Sequence, residues 1–155
     1  MQVAAGKHNP IALGWSMFTS HNPPMMAISI GLKRHSLEAI RGAGEFVVAF
    51  VSEQMTDDTL YFGSNSGRDE DKLAVRGTKT EPATKIDSVL LSDAVANFEC
   101  VVDGELLTND HVIFAGRIVA WHENEDPAVQ RLYNVGKKIL RGVQFEPPRP
   151  GEDNR

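Results

Sequence analysis

Phe46-Val47-Val48-Ala49-Phe50-Val51 is the clearest strand in the chain: β-branched and aromatic, continuous rather than alternating, which predicts a strand buried on both faces. The glycines Gly42 and Gly44 stand just before it and predict the stop of a short helix over 36–41. That helix begins in Lys33-Arg34-His35-Ser36, where Ser36 has the character of an N-cap because its hydroxyl can accept a first-turn N–H. A helix start offers unpaired N–H groups and the positive end of the peptide dipole. Two formal cations and a hydroxyl at that point make a seat for a phosphate; a solvated strand-to-helix turn is the plainer reading of these residues taken alone. Further upstream, an apolar run over 25–30 predicts a strand antiparallel to one over 12–17. The turn between them is Asn22-Pro23-Pro24, since each proline fixes its own φ and biases the residue before it towards extended structure.

Downstream of the central strand, residues 53–80 are polar and read as helical in pieces. Thr56 or Asp57 can cap one piece, Asp69-Glu70-Asp71 place negative charge in the first turn of another, and Gly77 ends it. Inside this region Ser64-Asn65-Ser66-Gly67-Arg68-Asp69-Glu70-Asp71-Lys72 repeats the chemistry of the first turn: hydroxyls, a glycine and two cations. Strands follow over 86–91 and 94–102, joined by a polar turn at Ser92-Asp93, with a further turn at Asp103-Gly104. A long strand over 111–122 carries Gly116 in its middle, the mark of a bulge or a close approach by another group. Asp126-Pro127 then reads as a helix opening, with Val129, Leu132 and Tyr133 at helical spacing. The first ten residues read as an arm or turn, and 146–155, proline-rich and charged, as a disordered tail. Roughly six strands with short helices and short turns favour an antiparallel barrel over a doubly wound sheet.

A chain of 155 residues is most simply one domain, here 1–145, long enough to bury a core. Its net charge of -5 argues against a general nucleic-acid binder, which needs a dominant basic face. The single cysteine, Cys100, permits no intrachain disulfide and, in an apolar run, reads as a small buried hydrophobe. With no apolar run near 18 residues and no hydrophobic signal core, the expectation is a soluble cytoplasmic protein without a membrane partner. No pair among the five histidines has metal-ligand spacing with a second Cys or carboxylate cluster, so no metal is expected. His8, His21 and His35 read as turn residues, and the carboxylates of Asp57-Asp58 and 69–71 as capping and solvating groups. Trp15 and Trp121 read as core or dimer packing before ring stacking on a ligand.

The order of these pieces resembles the flavin reductase-like family, and its flavoredoxin-like branch most. The matching residues are Asn9 with Trp15-Ser16, Asn22-Pro23-Pro24 before a strand, Arg34-His35-Ser36, and Gly44-Glu45-Phe46-Val47-Val48. They continue with Ser66-Gly67-Arg68-Asp69 and Asp71-Lys72, Phe98-Glu99-Cys100, and Asp110-His111 followed by Gly116. The resemblance covers about 9–121. It implies a mainly β (α+β) fold, an antiparallel split β-barrel with short helices that binds FMN, and a homodimer with flavin sites near the interface.

Carried onto this chain, the resemblance places Arg34 and Ser36, helped by Lys33, on the phosphate side of FMN. Ser66, Gly67, Arg68 and Lys72 match the second phosphate and ribityl loop, and Trp15, Ser16 and Met17 the strand along the isoalloxazine ring. Arginine suits a phosphate dianion because it gives two parallel charge-assisted donors, and a glycine lets backbone approach closely. His111 matches a histidine near the nicotinamide side; a histidine that only hydrogen-bonds a neighbour at a strand start is the equal alternative, and His122 a lesser candidate. The implied activity passes electrons from NADH or NADPH through FMN to a flavin, a redox partner protein or another acceptor. A non-enzymatic FMN electron carrier is the second reading, and a barrel that has lost its flavin the third. Two departures stand out. Family members usually carry a further strand before the asparagine matching Asn9, where eight residues stand here, so either the barrel lacks a strand or a partner chain supplies the cover. The stretch after Trp121, ending in Arg141-Gly142-Val143-Gln144-Phe145, also matches poorly.

Overall fold

The computed structural model describes residues 8–137 and 139–143. Its elements are β1 (Ser16–His21), β2 (Pro24–Gly31), α1 (His35–Ala43), β3 (Glu45–Phe50), a 3-10 turn (Glu53–Met55), α2 (Thr56–Ser64) and α3 (Lys72–Arg76), then β4 (Thr80–Pro82), β5 (Val89–Leu91), β6 (Ala96–Thr108), β7 (His111–Glu123), β8 (Arg131–Gly136) and β9 (Ile139–Val143). One five-stranded sheet runs β1-β2-β7-β6-β3, and two hairpins, β4-β5 and β8-β9, stand beside it. Every strand pairing is antiparallel. The expected mainly β, antiparallel split-barrel architecture with short helices is the one formed.

Alternate residues of the sheet face a single core. Met26, Ile28 and Ile30 of β2, Phe46 and Val48 of β3, and Val112 and Phe114 of β7 meet Leu37 and Ile40 of α1 there. Cys100 lies at the centre, fully buried, and burial with the neighbouring Glu99 charge pushes its thiol up to about 12. It behaves as the small hydrophobe the sequence suggests. Gly116 is a close-approach glycine: a Cβ there would stand 2.5 Å from the Phe46 ring. The bulge near it lies on the partner strand, between Val102 and Gly104.

Several elements differ from the sequence reading for identifiable reasons. The first strand covers Ser16–His21 instead of 12–17, because the turn pairs His21 with Pro24 and so fixes the register back to Ser16 opposite Ile28. β3 alternates between buried and half-buried residues: Phe46 and Val48 enter the core, and the residues between them lie half-buried on the opposite face of the strand. Residues 103–104, expected to turn, continue β6, which pairs with β7 along its whole length. The reversal falls instead at Asn109, whose φ of 36° is one that asparagine tolerates. Strand β5 is shorter than 86–91. The helix expected after Asp126 is absent, and β8 takes its place. There the Leu132 N–H donates to the Val51 carbonyl at 2.9 Å and Ser52 bridges Arg131, so pairing with a neighbouring chain segment overrides a local helical spacing.

Capping differs too. Helix α1 starts one residue early, with Arg34 as its N-cap and no side-chain cap bond, so Ser36 is not the cap. It ends at Gly44, left-handed at φ 68°, whose N–H reaches the Ile40 carbonyl. Asp71 caps α3 by accepting the Ala74 N–H, instead of lying in its first turn with Asp69 and Glu70. The Thr56 hydroxyl donates back to the Glu53 carbonyl at 2.6 Å and so closes the 3-10 turn rather than capping α2. The first seven residues of the arm and the whole of the expected tail lie outside the described residues.

Candidate functional site

Two loops that are remote in sequence face each other across a cleft of about 390 Å³. One is the turn between β2 and α1, which carries Lys33, Arg34 and Ser36; the other joins α2 to α3 and carries Ser64, Ser66, Gly67 and Arg68. The strap of residues 9–15 forms a third side, and His111, at the start of β7, a fourth. No Asp or Glu is among the described residues that line the cleft. Lys33, Arg34 and Arg68 have no carboxylate partner among the described residues. In a chain of net charge -5, the cleft is therefore a local region of positive potential with donors left over for an anion.

Local bonding explains how each loop holds its shape. The Arg34 N–H donates to the Gly31 carbonyl at 2.9 Å, and the Leu37 N–H to the Arg34 carbonyl, which turns the chain from strand into helix. In the second loop the Arg68 N–H donates to the Ser66 hydroxyl at 3.2 Å, and the Asp69 N–H to the Ser66 carbonyl. Asn9 joins the two loops. It is buried, at 8% exposure, and its Nδ2 donates to Ser36 Oγ at 3.0 Å. Its Oδ1 lies against Gly67, where an added Cβ would stand only 2.2 Å away. Gly67 is thus a glycine because Asn9 occupies the space of any side chain. That Asn9 Oδ1 is buried with no hydrogen-bond partner among the described residues.

Lys72 has a different setting from the other cations. It is 1% exposed, and its ammonium donates to the carbonyl of Pro10 and, at 3.4 Å each, to those of Phe62 and Asn65. Burial lowers its pKa, with Glu70 pulling the other way. It fastens the strap to the α2–α3 loop from beneath, and its charge is committed to backbone oxygens.

At the mouth, the Trp15 ring lies 4.7 Å from the His111 imidazole with a 43° tilt. His111 Nδ1 pairs with Asp110 Oδ1 at 2.8 Å, a bond that holds the Asp110 carboxyl below its usual range. This orients the ring with Nε2 towards Gly31, where an added Cβ would be 3.5 Å away. Nine of the eleven residues singled out from the sequence line this cleft: Trp15, Lys33, Arg34, Ser36, Ser66, Gly67, Arg68, Lys72 and His111. Ser16 and Met17 do not; Ser16 lines a second cavity, and Met17 is 62% exposed on β1. The sequence reading gave no role to Asn9 as a link or to Asp110 as an orienting group. Asn9 contacts a residue 27 positions away, for which no local pattern exists, whereas Asp110 beside His111 was visible as a pair.

Among the described residues, no group of three or more His, Cys, Asp or Glu could hold a metal ion. Among the described residues, no helix is long and apolar enough to cross a membrane.

Comparison with known proteins places this geometry. The chain is 29% identical over 131 residues to an NADH-dependent FMN reductase of Streptomyces nodosus subsp. asukaensis, with 81% of this chain and 67% of that one covered. Across three curated relatives at 29% to 30% identity, the chain spans 64% to 67% of the relative's length. An FMN-binding protein of Thermus thermophilus superposes with a TM-score of 0.75 at 26% identity, covering 87% of this chain and 80% of that one. A flavoredoxin of Methanosarcina acetivorans shares the fold, with a TM-score of 0.83 at 24% identity over 97% of this chain and 85% of that one. The model of the flavin reductase like domain matches residues 2–140, and the chain belongs to that family.

Proposed function

We propose that the cleft holds FMN and that the protein is an oxidoreductase using reduced nicotinamide as its electron source. The observation that carries this is a cleft with no carboxylate among its described lining residues, where Lys33, Arg34 and Arg68 stand on two facing loops with no carboxylate partner among the described residues. Such a donor set fits a phosphate dianion, since arginine offers parallel charge-assisted bonds and a lysine a point charge. Ser36, Ser64 and Ser66 on the same walls add hydroxyls suited to a polyol chain. When bound, FMN supplies the redox chemistry, taking a hydride from nicotinamide and passing electrons to a flavin, a protein or another acceptor. Lys33, Arg34, Ser36, Ser66 and Arg68 bind the phosphate and ribityl parts. Lys72 holds the strap and the loop in place, and Gly67 admits Asn9 between the two halves. The backbone around Trp15 would border the ring, and His111, oriented by Asp110, would face the nicotinamide.

A homodimer is part of the same proposal. Trp15, Met17 and Phe18 are 64%, 62% and 55% exposed at and just before the edge strand β1, an apolar edge of the kind that a second copy covers.

The test is a visible absorption titration of the purified protein with FMN, followed anaerobically by NADH or NADPH. A bound flavin that bleaches with nicotinamide is expected. Bleaching only with dithionite would make the protein an electron carrier, and failure to bind FMN would overturn the assignment of the cleft.

A further inference from the structure

A second cavity, of about 440 Å³, lies behind the strap, with the strap residues Ile11, Leu13 and Gly14 lining both it and the cleft. Its chemistry is the opposite of the cleft's. Phe46, Val48, Phe50, Phe62, Leu73 and Leu140 make its walls apolar, and no carboxylate is among its described lining residues. One cation enters it. The Arg131 guanidinium lies 3.8 Å from the centroid of the Phe50 ring and 5.1 Å from that of Tyr133. Stacking occupies the face of a guanidinium and leaves its N–H edge directed sideways. Among the described residues, Arg131 has no carboxylate partner. The buried Thr59 hydroxyl, on a residue that also lines the cavity, has no hydrogen-bond partner among them either.

We propose that this cavity is a binding site for a small aromatic carboxylate, with Arg131 as the partner of its charge. The volume falls within the range of about 300–1,000 Å³ usual for small-molecule pockets, and aromatic walls favour a flat ring by offset or edge contacts. An arginine held over a phenyl ring keeps N–H donors for a bidentate carboxylate, and an apolar surround strengthens that pair because water competes poorly there. A phosphate ester would bring a second charge and a larger shell of water into walls that offer it one cation, so the monoanion is the better fit. The inference stands apart from the flavin proposal, since it uses a different cavity and a different cation.

The test is isothermal titration calorimetry of the full chain with 2-naphthoate and with its neutral analogue 2-naphthamide, with and without saturating FMN. Naphthoate is expected to bind about tenfold or more tightly than naphthamide, the scale of a hydrogen-bonded charge pair, and to remain bound when FMN is added. Arg131→Gln should erase the preference for the anion, and Arg131→Lys should retain only part of it. Equal binding of acid and amide, or no binding of either, would overturn the proposal. Displacement of naphthoate by FMN would also overturn it, placing the anion in the cationic cleft. The acid–amide comparison uses only the unmodified protein, so it decides the matter even if a variant folds poorly. Should FMN not bind at all, the cleft assignment fails while the acid–amide and Arg131 arms still test the cavity.

Discussion

Gly67→Ala is the substitution that most directly probes the junction of the two loops. The new methyl carbon would stand 2.2 Å from Asn9 Oδ1 and 2.7 Å from Asn9 Cγ, far inside van der Waals contact. Asn9 cannot swing aside freely, because it is 8% exposed and its Nδ2 holds Ser36 Oγ at 3.0 Å. Overpacking of this kind costs about 1–3 kcal/mol. Losing the Asn9–Ser36 bond adds about 0.5–1.5 kcal/mol. Total destabilisation of about 2–4 kcal/mol is expected by denaturant unfolding. Because the bond that breaks fixes one cationic loop against the other, FMN affinity should fall about tenfold or more, equivalent to about 1.4 kcal/mol. Riboflavin, which lacks the phosphate, should lose much less.

The decisive arm is the double variant. Asn9→Ala removes the atoms that collide with the methyl group, so Asn9→Ala with Gly67→Ala should be markedly less destabilised than the sum of the two single changes. A coupling of about 1 kcal/mol or more lies within the range for residues in contact. Gly63→Ala provides a comparison, since its Cβ would meet only the Ala12 side chain, at 3.0 Å. Additive effects in the cycle, or a Gly67→Ala protein with unchanged stability and FMN affinity, would refute the idea that Asn9 sets the spacing of the loops.

Four further outcomes are expected. Arg68→Ala should weaken FMN binding by about 1.5–3 kcal/mol, the range for hydrogen bonds to charged groups; fluorescence titration with unchanged affinity would remove that loop from the site. His111→Ala should leave FMN bound but slow its reduction by nicotinamide in anaerobic stopped-flow, and equal rates would make His111 a purely structural residue. Lys72→Met leaves the carbonyls of Pro10, Phe62 and Asn65 without their donor and should lower stability by about 1–3 kcal/mol, measured by thermal unfolding without ligand. Glu99 is fully buried; burial pushes its carboxyl up, but the N–H groups of Thr84 and Lys85, the Thr84 hydroxyl and His122 outweigh it and hold the pKa at about 2. A depressed carboxylate stabilises the fold above its ordinary value of 4.5, so about 3 kcal/mol of stability should be lost as pH falls from there towards 2, by linkage. Glu99→Gln should lack most of that acid slope.

What the sequence discloses of this fold depends on the range over which each determinant acts. The strands with strong local character, over 25–30, 46–51 and 111–122, lie within a residue or two of β2, β3 and β7. The register of β1 differs from the local reading because it is set by a turn pairing, His21 with Pro24, and not by the apolar run before it. The 126–133 stretch departs from its helical spacing because Val51 and Ser52, about 80 positions earlier, recruit it into a strand through bonds at Leu132 and Arg131. The site follows the same division. Lys33, Arg34, Ser66 and Arg68 stand in short polar runs beside glycines and turn residues, and the two runs suggested each other because their chemistry is alike. Their charge could be read locally, but its availability could not. Lys72 belongs to the same run as Arg68, yet Lys72 is buried against three carbonyls, while Arg68 has no carboxylate partner among the described residues. The end of α2 and the path of the strap separate the two cases, and the strap does more than hold Lys72. It brings the Pro10 carbonyl over Lys72 and Asn9 between Ser36 and Gly67, so one short segment before the first strand both engages one cation and spaces the others for a ligand.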